Sequence, residues 1–331
     1  LFIKPYLFKV QNNLKYNPTD LAIIIPTKDR PVQVKRHLQS LEKQKCKLGR
    51  VIVVASGKDI KDIVLGFKDR LPIEYYRSEP GQIKQRNMGI SKLDEKTKLV
   101  ATMDDDVTYH EDAVAEMTRF WNSVPSDTAG VGFNIITLSV LKHNWFRGFL
   151  RFSSAKPGQV LKSGFNTSIN NLAENIQVKW LNGGSGVWRQ DILLNNPTEE
   201  INTRWAVGED LIFSYPLGKQ YPLYVCSGAK VETEEIIMDR PAKEFYIYRG
   251  RANYLWGLYF VLKNTDLSVN CFIINRFIYC IVQIFKGAIY LDKSRFFIML
   301  GIIKLFFISL KVLSGFQTVD EFKFEFIDTL G

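Results

Sequence analysis

A chain of 331 residues is long for one core and short for three, so one main domain with an appendage is expected. With 46% hydrophobic and 24% charged residues, it is neither disordered nor fibrous. Lys and Arg number 44 against 34 Asp and Glu, a net charge of +10. Aromatic residues, at 13%, suggest additional apolar surface, either a thick core or a membrane-facing side. The four cysteines (Cys46, Cys226, Cys271, Cys280) lack C-x-x-C spacing, which favours a reducing compartment over a disulfide scaffold. Three histidines (His37, His110, His143) exclude H-E-x-x-H zinc chemistry.

Leu1 to Val10 is apolar but carries Lys4 and Lys9, and it lacks the h-region and cleavage site of a signal peptide. An opening on Leu1 rather than methionine is expected of a partial sequence. Leu21 to Pro26 is a short apolar run, the pattern of a buried parallel strand. Pro31 to Gln44 follows with helical spacing of Val34, Leu38 and Leu41. Arg50 to Ala55 is a second strand stopped by Ser56-Gly57, and Asp59 to Phe67 is a short helix. Ile73 to Tyr76 is a third strand, Gly81 to Leu93 a helix, and Lys98 to Met103 a fourth strand. His110 to Ser123 is again helical. This alternation predicts a parallel sheet wrapped by helices, with ligands beyond the strand C-termini.

Polar clusters fall at those strand ends: Thr27-Lys28-Asp29-Arg30, Ser56-Gly57 and Asp104-Asp105-Asp106. Three adjacent carboxylates repel one another unless a cation neutralises them, and hard oxygen ligands suit Mg2+ or Mn2+. A solvated acidic turn capping the next helix explains the triplet equally well. Lys84 and Arg86 stand near a helix start, where they can meet phosphate oxygens or serve only as surface charge. Asn182-Gly183-Gly184-Ser185-Gly186 permits close backbone approach, although an ordinary turn has the same composition. It is not a G-x-S-x-G elbow, because Val187 stands where the last glycine belongs. Gly208-Glu209-Asp210, after Trp205 and before Leu211-Ile212-Phe213, is a carboxylate pair among apolar residues. It suits a general base, and it equally suits the acidic first turn of a helix.

The positive charge is concentrated near the C-terminus. Arg249 to Gly315 holds nine Lys and Arg against Asp266 and Asp292. Its uncharged runs, Phe277 to Phe285 and Phe296 to Ile303, fall short of the roughly 20 apolar residues of a spanning helix. Lys293, Lys304 and Lys311 return to one helix face, within about 20°. An in-plane amphipathic helix on an anionic membrane surface is expected, with a packed helix whose lysines snorkel as the alternative. Nucleic acid is not expected, because the basic residues are interleaved with aliphatics.

Taken together and in order, LAIIIPTKDRP, RVIVVASG, GQIKQRNMGI, VATMDDDV, LNGGSGVWRQDIL and GEDLIF resemble family-2 glycosyltransferases of the GT-A fold, over about residues 20–255. The resemblance implies an α/β fold with a Rossmann-like mixed sheet flanked by helices, followed by the hydrophobic, basic helical region. It divides the chain into an extension (1–19), a catalytic domain (20–255) and a membrane-associating helical region (256–331). By similarity, Pro26, Thr27, Asp29 or Arg30, and Ser56 line the base and ribose pocket of a nucleoside-diphosphate sugar. Asp104 faces the nucleoside, Asp105 and Arg86 also belong to the nucleotide-sugar site, and Asp106 holds a divalent cation, Mn2+ or Mg2+. Gly183 and Gly184 lie near the donor sugar, and Asp210, with Glu209 beside it, is the catalytic base of an inverting transfer. Arg249 and Arg251 contact the diphosphate or acceptor, or serve packing or membrane contact.

Three departures from the family pattern stand out. Ala55-Ser56 replaces an aspartate that reads the base. The stretch Ala229 to Glu234 lacks the usual metal-binding histidine, so Glu232 or Glu234 substitutes, or Asp106 and the diphosphate hold the metal with water. The processive Q-x-x-R-W signature is absent, which favours transfer of a single sugar. The expected enzyme is bacterial in style and peripheral or monotopic at the cytoplasmic face, acting on a lipid-linked or cell-surface glycan. Its rivals are a catalytically decayed nucleotide-sugar-binding scaffold and a sugar-1-phosphate nucleotidyltransferase. The latter needs a glycine-rich loop that TKDRP lacks.

Overall fold

A computed structural model describes residues 15–138, 154–198, 208–234, 243–318 and 320–321. Leu1 to Val10, His143 and Trp205 lie outside the described residues. The first half reads β1 (Leu21–Lys28), α1 (Pro31–Glu42), β2 (Arg50–Ser56), α2 (Lys61–Leu65), β3 (Ile73–Arg77), α3 (Gln82–Ile90) and β4 (Leu99–Met103). Then follow β5 (Val107–Tyr109), α4 (Ala113–Trp121), β6 (Gly130–Ile135), β7 (Ile176–Val178), β8 (Ser185–Arg189) and α5 (Gln190–Asn195). The last elements are α6 (Glu209–Gly218), β9 (Leu223–Thr233), α7 (Lys243–Lys263), α8 (Val269–Ile289) and α9 (Lys293–Leu313).

The strands form one mixed sheet in the order β3-β2-β1-β4-β8-β6-β9-β5, with β7 paired antiparallel to β9. The first four are parallel, with Ile23 opposite Val51 and Leu21 opposite Leu99. β8 then enters antiparallel between β4 and β6, which turns a parallel half-sheet into a mixed one. The expected mixed α/β architecture with flanking helices is therefore present.

β1 and β2 read as unbroken apolar runs because both sheet faces are covered. Ile23, Ile25, Val51 and Val53 point into one core with Val34, Leu38 and Leu41 of α1. Ala22, Ile24, Ile52 and Val54 point into the other, with Trp180, Trp188 and Leu217. Each fully buried branched side chain contributes about 1.5–3 kcal/mol. Pro31 sits in the first turn of α1, where its fixed φ and missing N–H cost little.

A third core joins α7, α8 and α9. Gly250 and Gly301 let α7 and α9 approach backbone to backbone: a Cβ on either would lie 2.1–2.2 Å from a carbonyl oxygen of the other helix. The outer faces are exposed: Ile274, Phe277, Ile281, Ile284 and Phe285 on α8, and Leu300, Ile303, Phe307 and Leu310 on α9. Lys293, Lys304 and Lys311 are all exposed. One expectation needs correction. α8 and α9 are each 21 residues long, with mean hydropathies of 1.5 and 2.3, long and apolar enough to cross a membrane. Counting uncharged runs treats every Lys or Arg as a break, although a long helix tolerates isolated ones near its ends.

A Cβ on Gly89 would lie 2.4 Å from Ile24 Cγ2. Overpacking there outweighs the helix-propensity gain, so Gly89→Ala lowers stability by about 1–3 kcal/mol. Urea unfolding should show a lower midpoint at unchanged slope.

Candidate active site

The acidic triplet leaves the C-terminal end of β4, the strand at which the sheet changes from parallel to antiparallel pairing. Asp105 is buried at 4% exposure. Thr27 Oγ1 donates to its Oδ2 at 2.6 Å, and Arg30 donates to its Oδ1. The second arm of the Arg30 guanidinium reaches Asp106 Oδ2 at 3.1 Å. One arginine thus spans two adjacent carboxylates. Burial pushes the Asp105 carboxyl up to about 6, against the opposing pull of Thr27 and Arg30. Burial also raises Asp106, with the neighbouring Asp104 charge adding to it.

Asp104 faces the other way. Its Oδ1 accepts from Gln82 at 2.7 Å and from Arg86 at 3.0 Å. The other terminal nitrogen of Arg86 donates to Glu209 Oε1 at 2.5 Å. Arg86 therefore ties the end of β4 to the start of α6, 123 residues further along the chain than itself. α6 begins at Gly208, whose φ of +83° suits glycine. The segment is an acidic helix start, with Glu209 and Asp210 in the first turn. Asp210 Oδ1 accepts from the Leu211 N–H at 2.9 Å, and burial pushes its carboxyl up to about 6.

Gly183 and Gly184 pass through the middle of this arrangement. A Cβ on Gly183 would lie 3.3 Å from Arg86 and 3.5 Å from Asp210 Cβ, and one on Gly184 would lie 2.0 Å from Asp104 Oδ2. The Thr102 hydroxyl donates to Gly183 O, and the Asp104 N–H donates to Gly184 O.

The remaining expected residues are spread along the β1 and β2 ends. Pro26 is buried within β1. Asp29 adopts φ +56° and accepts from the Lys58 N–H at 2.7 Å, covering Gly57. Ser56 is buried, and its hydroxyl has no hydrogen-bond partner among the described residues. Glu232 meets His110 at 3.1 Å, and Glu234 pairs with Arg36.

Sequence reasoning missed three contributors. Gln85, buried in α3, donates to both Thr27 O at 2.6 Å and Val54 O at 2.7 Å, joining the ends of β1 and β2. Its one signal was a polar residue four positions before Gly89, on the face that packs on Ile24. Gln82 holds Asp104. Buried His37 donates from Nδ1 to Asp104 O at 3.1 Å, and burial lowers its pKa to about 4.

Residues 22–178 match the model of glycosyl transferase family 2. Those residues make up a family-2 glycosyltransferase domain. No curated protein matches its sequence. Among solved structures, this glycosyltransferase is similar to mannosyltransferase PcManGT from Pyrobaculum calidifontis, in complex with GDP-Man and Mn2+. The identity is 12% and the TM-score 0.53, over 88% of either chain, which is a likeness of fold. It is also similar to S. aureus TarS 1–349, at 16% identity and TM-score 0.48, over 78% of this chain and 72% of that one. The same S. aureus protein in complex with UDP gives 16% and 0.46, over 77% and 68%.

Asp106, the carboxylate expected to hold a divalent cation, presents hard oxygen donors at the end of β4, one of them on Arg30. Among the described residues, no three His, Cys, Asp or Glu side chains group to hold a metal. Asp106 alone could therefore contribute only part of an ion's ligand shell.

Replacing Gln85 with Leu removes two hydrogen bonds to strand-end carbonyls and leaves no polar group in a buried site. Gln85→Leu should cost about 2–4 kcal/mol in urea unfolding, more than a surface substitution such as Lys61→Gln.

Proposed function

We propose that this glycosyltransferase moves one sugar, with inversion, from a nucleoside-diphosphate sugar to a hydroxyl of a lipid-linked or cell-surface glycan at the cytoplasmic face of a membrane. The observation that carries the reading is the placement of Asp210. It is a partly buried carboxylate beside Gly183, and its neighbour Glu209 is held by Arg86 to the acidic triplet. Two functions expected of opposite sides of one reacting centre are therefore linked through a single guanidinium.

Pro26, Thr27, Asp29, Arg30 and Ser56 hold the base and ribose, with Asp104 and Asp105 towards the nucleoside. Arg86 meets the phosphates, and Gly183 and Gly184 leave room for the sugar. Asp106 holds a divalent cation, which supplies charge neutralisation on the departing diphosphate when bound. The pairing of Glu232 with His110 and of Glu234 with Arg36 favours Asp106 and donor oxygens, rather than either glutamate, as ligands. The similar fold that holds GDP-Man and Mn2+ supports this choice of donor and ion.

An acceptor hydroxyl is too weak an acid to ionise at neutral pH. Asp210 takes its proton as the oxygen attacks the anomeric carbon in line with the leaving diphosphate. With a pKa near 6, Asp210 is mostly ionised at pH 7 and is a stronger base than an exposed aspartate. One displacement inverts the anomeric centre. The catalytic domain spans 20–255 and the helical region 256–331, α7 being shared between them. The exposed apolar faces of α8 and α9, edged by lysines, contact the membrane.

Four outcomes follow from these assignments. kcat/KM should rise about tenfold per pH unit below pH 6 and level off above it. Asp210→Asn should lower kcat about 10²–10⁴-fold and abolish that limb, whereas a full rate would overturn the assignment of the base. Because the folded pKa lies above the unfolded value, ionised Asp210 destabilises the fold fully above pH 6 and not at all below about 4. Asp210→Asn should therefore be more stable at pH 7, by up to about 3 kcal/mol, and show no gain at pH 4. Finally, thermal unfolding with UDP, GDP, dTDP and CMP, with and without Mn2+, should show one diphosphate stabilising by about 2.7 kcal/mol at 100 times its Kd, only with Mn2+. Silence with all four would contradict donor binding.

A further inference from the structure

One face of α6 lines a cavity of about 280 Å3 that the transfer chemistry leaves unused. Small-molecule sites run from about 300 to 1,000 Å3, so this one has room for a single ring. Glu209, Phe213 and Pro216 recur along that face at helical spacing, and Tyr259 of α7 stands across from them. Asp210 points elsewhere: a Cβ on Gly183 would lie 3.5 Å from Asp210 Cβ and 3.6 Å from Glu209 Oε1. Glu209 is therefore the residue common to the cavity and to the transfer site.

The cavity is built by the same elements as the site. Arg86 of α3 donates to Glu209 Oε1, and the next residue, Asn87, donates to Thr198 O at 3.3 Å on the opposite rim. Phe213 meets the buried Trp188 edge-on, with ring centroids 5.1 Å apart, and Tyr259 meets Trp256 at 5.8 Å. Both aromatic walls are thus held in place before any ligand arrives.

The chemistry of the lining selects the ligand. With Oε1 on Arg86, Glu209 Oε2 is buried and has no hydrogen-bond partner among the described residues. A carboxylate oxygen only accepts, so the partner it lacks is a donor, and leaving it unmade is costly. Asn196 and Gln220, at the rim, each spend an amide N–H on a backbone carbonyl, at 2.9 and 3.4 Å, and each keeps an amide oxygen able to accept from a hydroxyl. Among the described residues lining the cavity there is no Lys, Arg or His, so a phosphate there would meet Glu209 without a counter-charge. An acyl chain would fill the apolar wall and leave Glu209 unmet. A ring with an apolar face and several hydroxyls satisfies both.

We propose that this cavity binds a neutral sugar residue of the acceptor, one unit away from the hydroxyl that reacts, with its ring against Phe213 and a hydroxyl donating to Glu209. The reacting hydroxyl belongs at Asp210, so the chain of the acceptor passes Glu209. The proposal rests on the reading of Asp210 as the acceptor-side base and adds a subsite to it.

Saturation-transfer NMR on the full chain, titrated with the methyl glycosides of glucose, galactose, mannose and N-acetylglucosamine, reads this binding. At least one glycoside should receive transfer, and it should keep it with UDP or GDP and Mn2+ present. Thr198→Val and Gln220→Ala, each removing one polar group at the rim, should weaken its affinity about two- to tenfold. Full affinity in both variants would overturn the site. Equal binding of cyclohexanol, a ring of similar size with one hydroxyl, would overturn a sugar in favour of an apolar ligand. Absence of transfer to every glycoside would overturn the subsite even if a nucleotide with Mn2+ stabilises the fold. Silence with every nucleotide, with glycoside binding intact, would instead contradict the donor reading and leave the sugar cavity standing.

Discussion

The guanidinium of Arg86 is the joint on which the site depends. The Arg86 side chain is only 12% exposed, and it donates to Asp104 at the end of β4 and to Glu209 at the start of α6. Burying an arginine is expensive, and two carboxylates repel each other when brought near; each difficulty relieves the other only when all three groups meet. The meeting requires backbone without side chains between them, and Gly183 and Gly184 provide it. The parallel half of the sheet, which carries the triplet, is thus locked to the antiparallel entry of β8 and to the helix bearing Asp210.

Arg30 does for Asp105 and Asp106 what Arg86 does for Asp104 and Glu209. The triplet is therefore held close by internal cations, and the repulsion inferred from its sequence is answered before any ligand arrives. Asp210 is different. Burial raises it as it raises Asp105, but its hydrogen bond is to the Leu211 N–H, not to a basic side chain. That contrast separates acids that hold the architecture from an acid left able to accept a proton.

Much of this was legible in the sequence. β1, β2 and β4 announce themselves because a strand covered on both faces must be apolar throughout, and the polar clusters mark where each leaves the sheet. The pairing of β8 between β4 and β6 was not legible. It joins segments some 80 residues apart, such as Val100 with Trp188, and no local pattern encodes it. Gln85 and His37 escaped for a similar reason. Each looks like a polar interruption of a helix face, and only the fold shows the carbonyls they serve. In the C-terminal region, the lysine stripe was visible from spacing, but the length of α8 and α9 was not. Arg276 was counted as an interruption, yet it points inward against Phe272 and leaves the outer face apolar.

The coupling through Arg86 is measured most directly by a double-mutant cycle on unfolding free energy, with Arg86→Met, Glu209→Gln and the pair. Breaking a buried ion pair from one side costs about 3–5 kcal/mol, because the remaining charge is stranded. The double variant should then cost less than the sum of the singles by about 1.5–3 kcal/mol. Single costs that add within about 0.5 kcal/mol would contradict a joint between the triplet and the proposed catalytic helix.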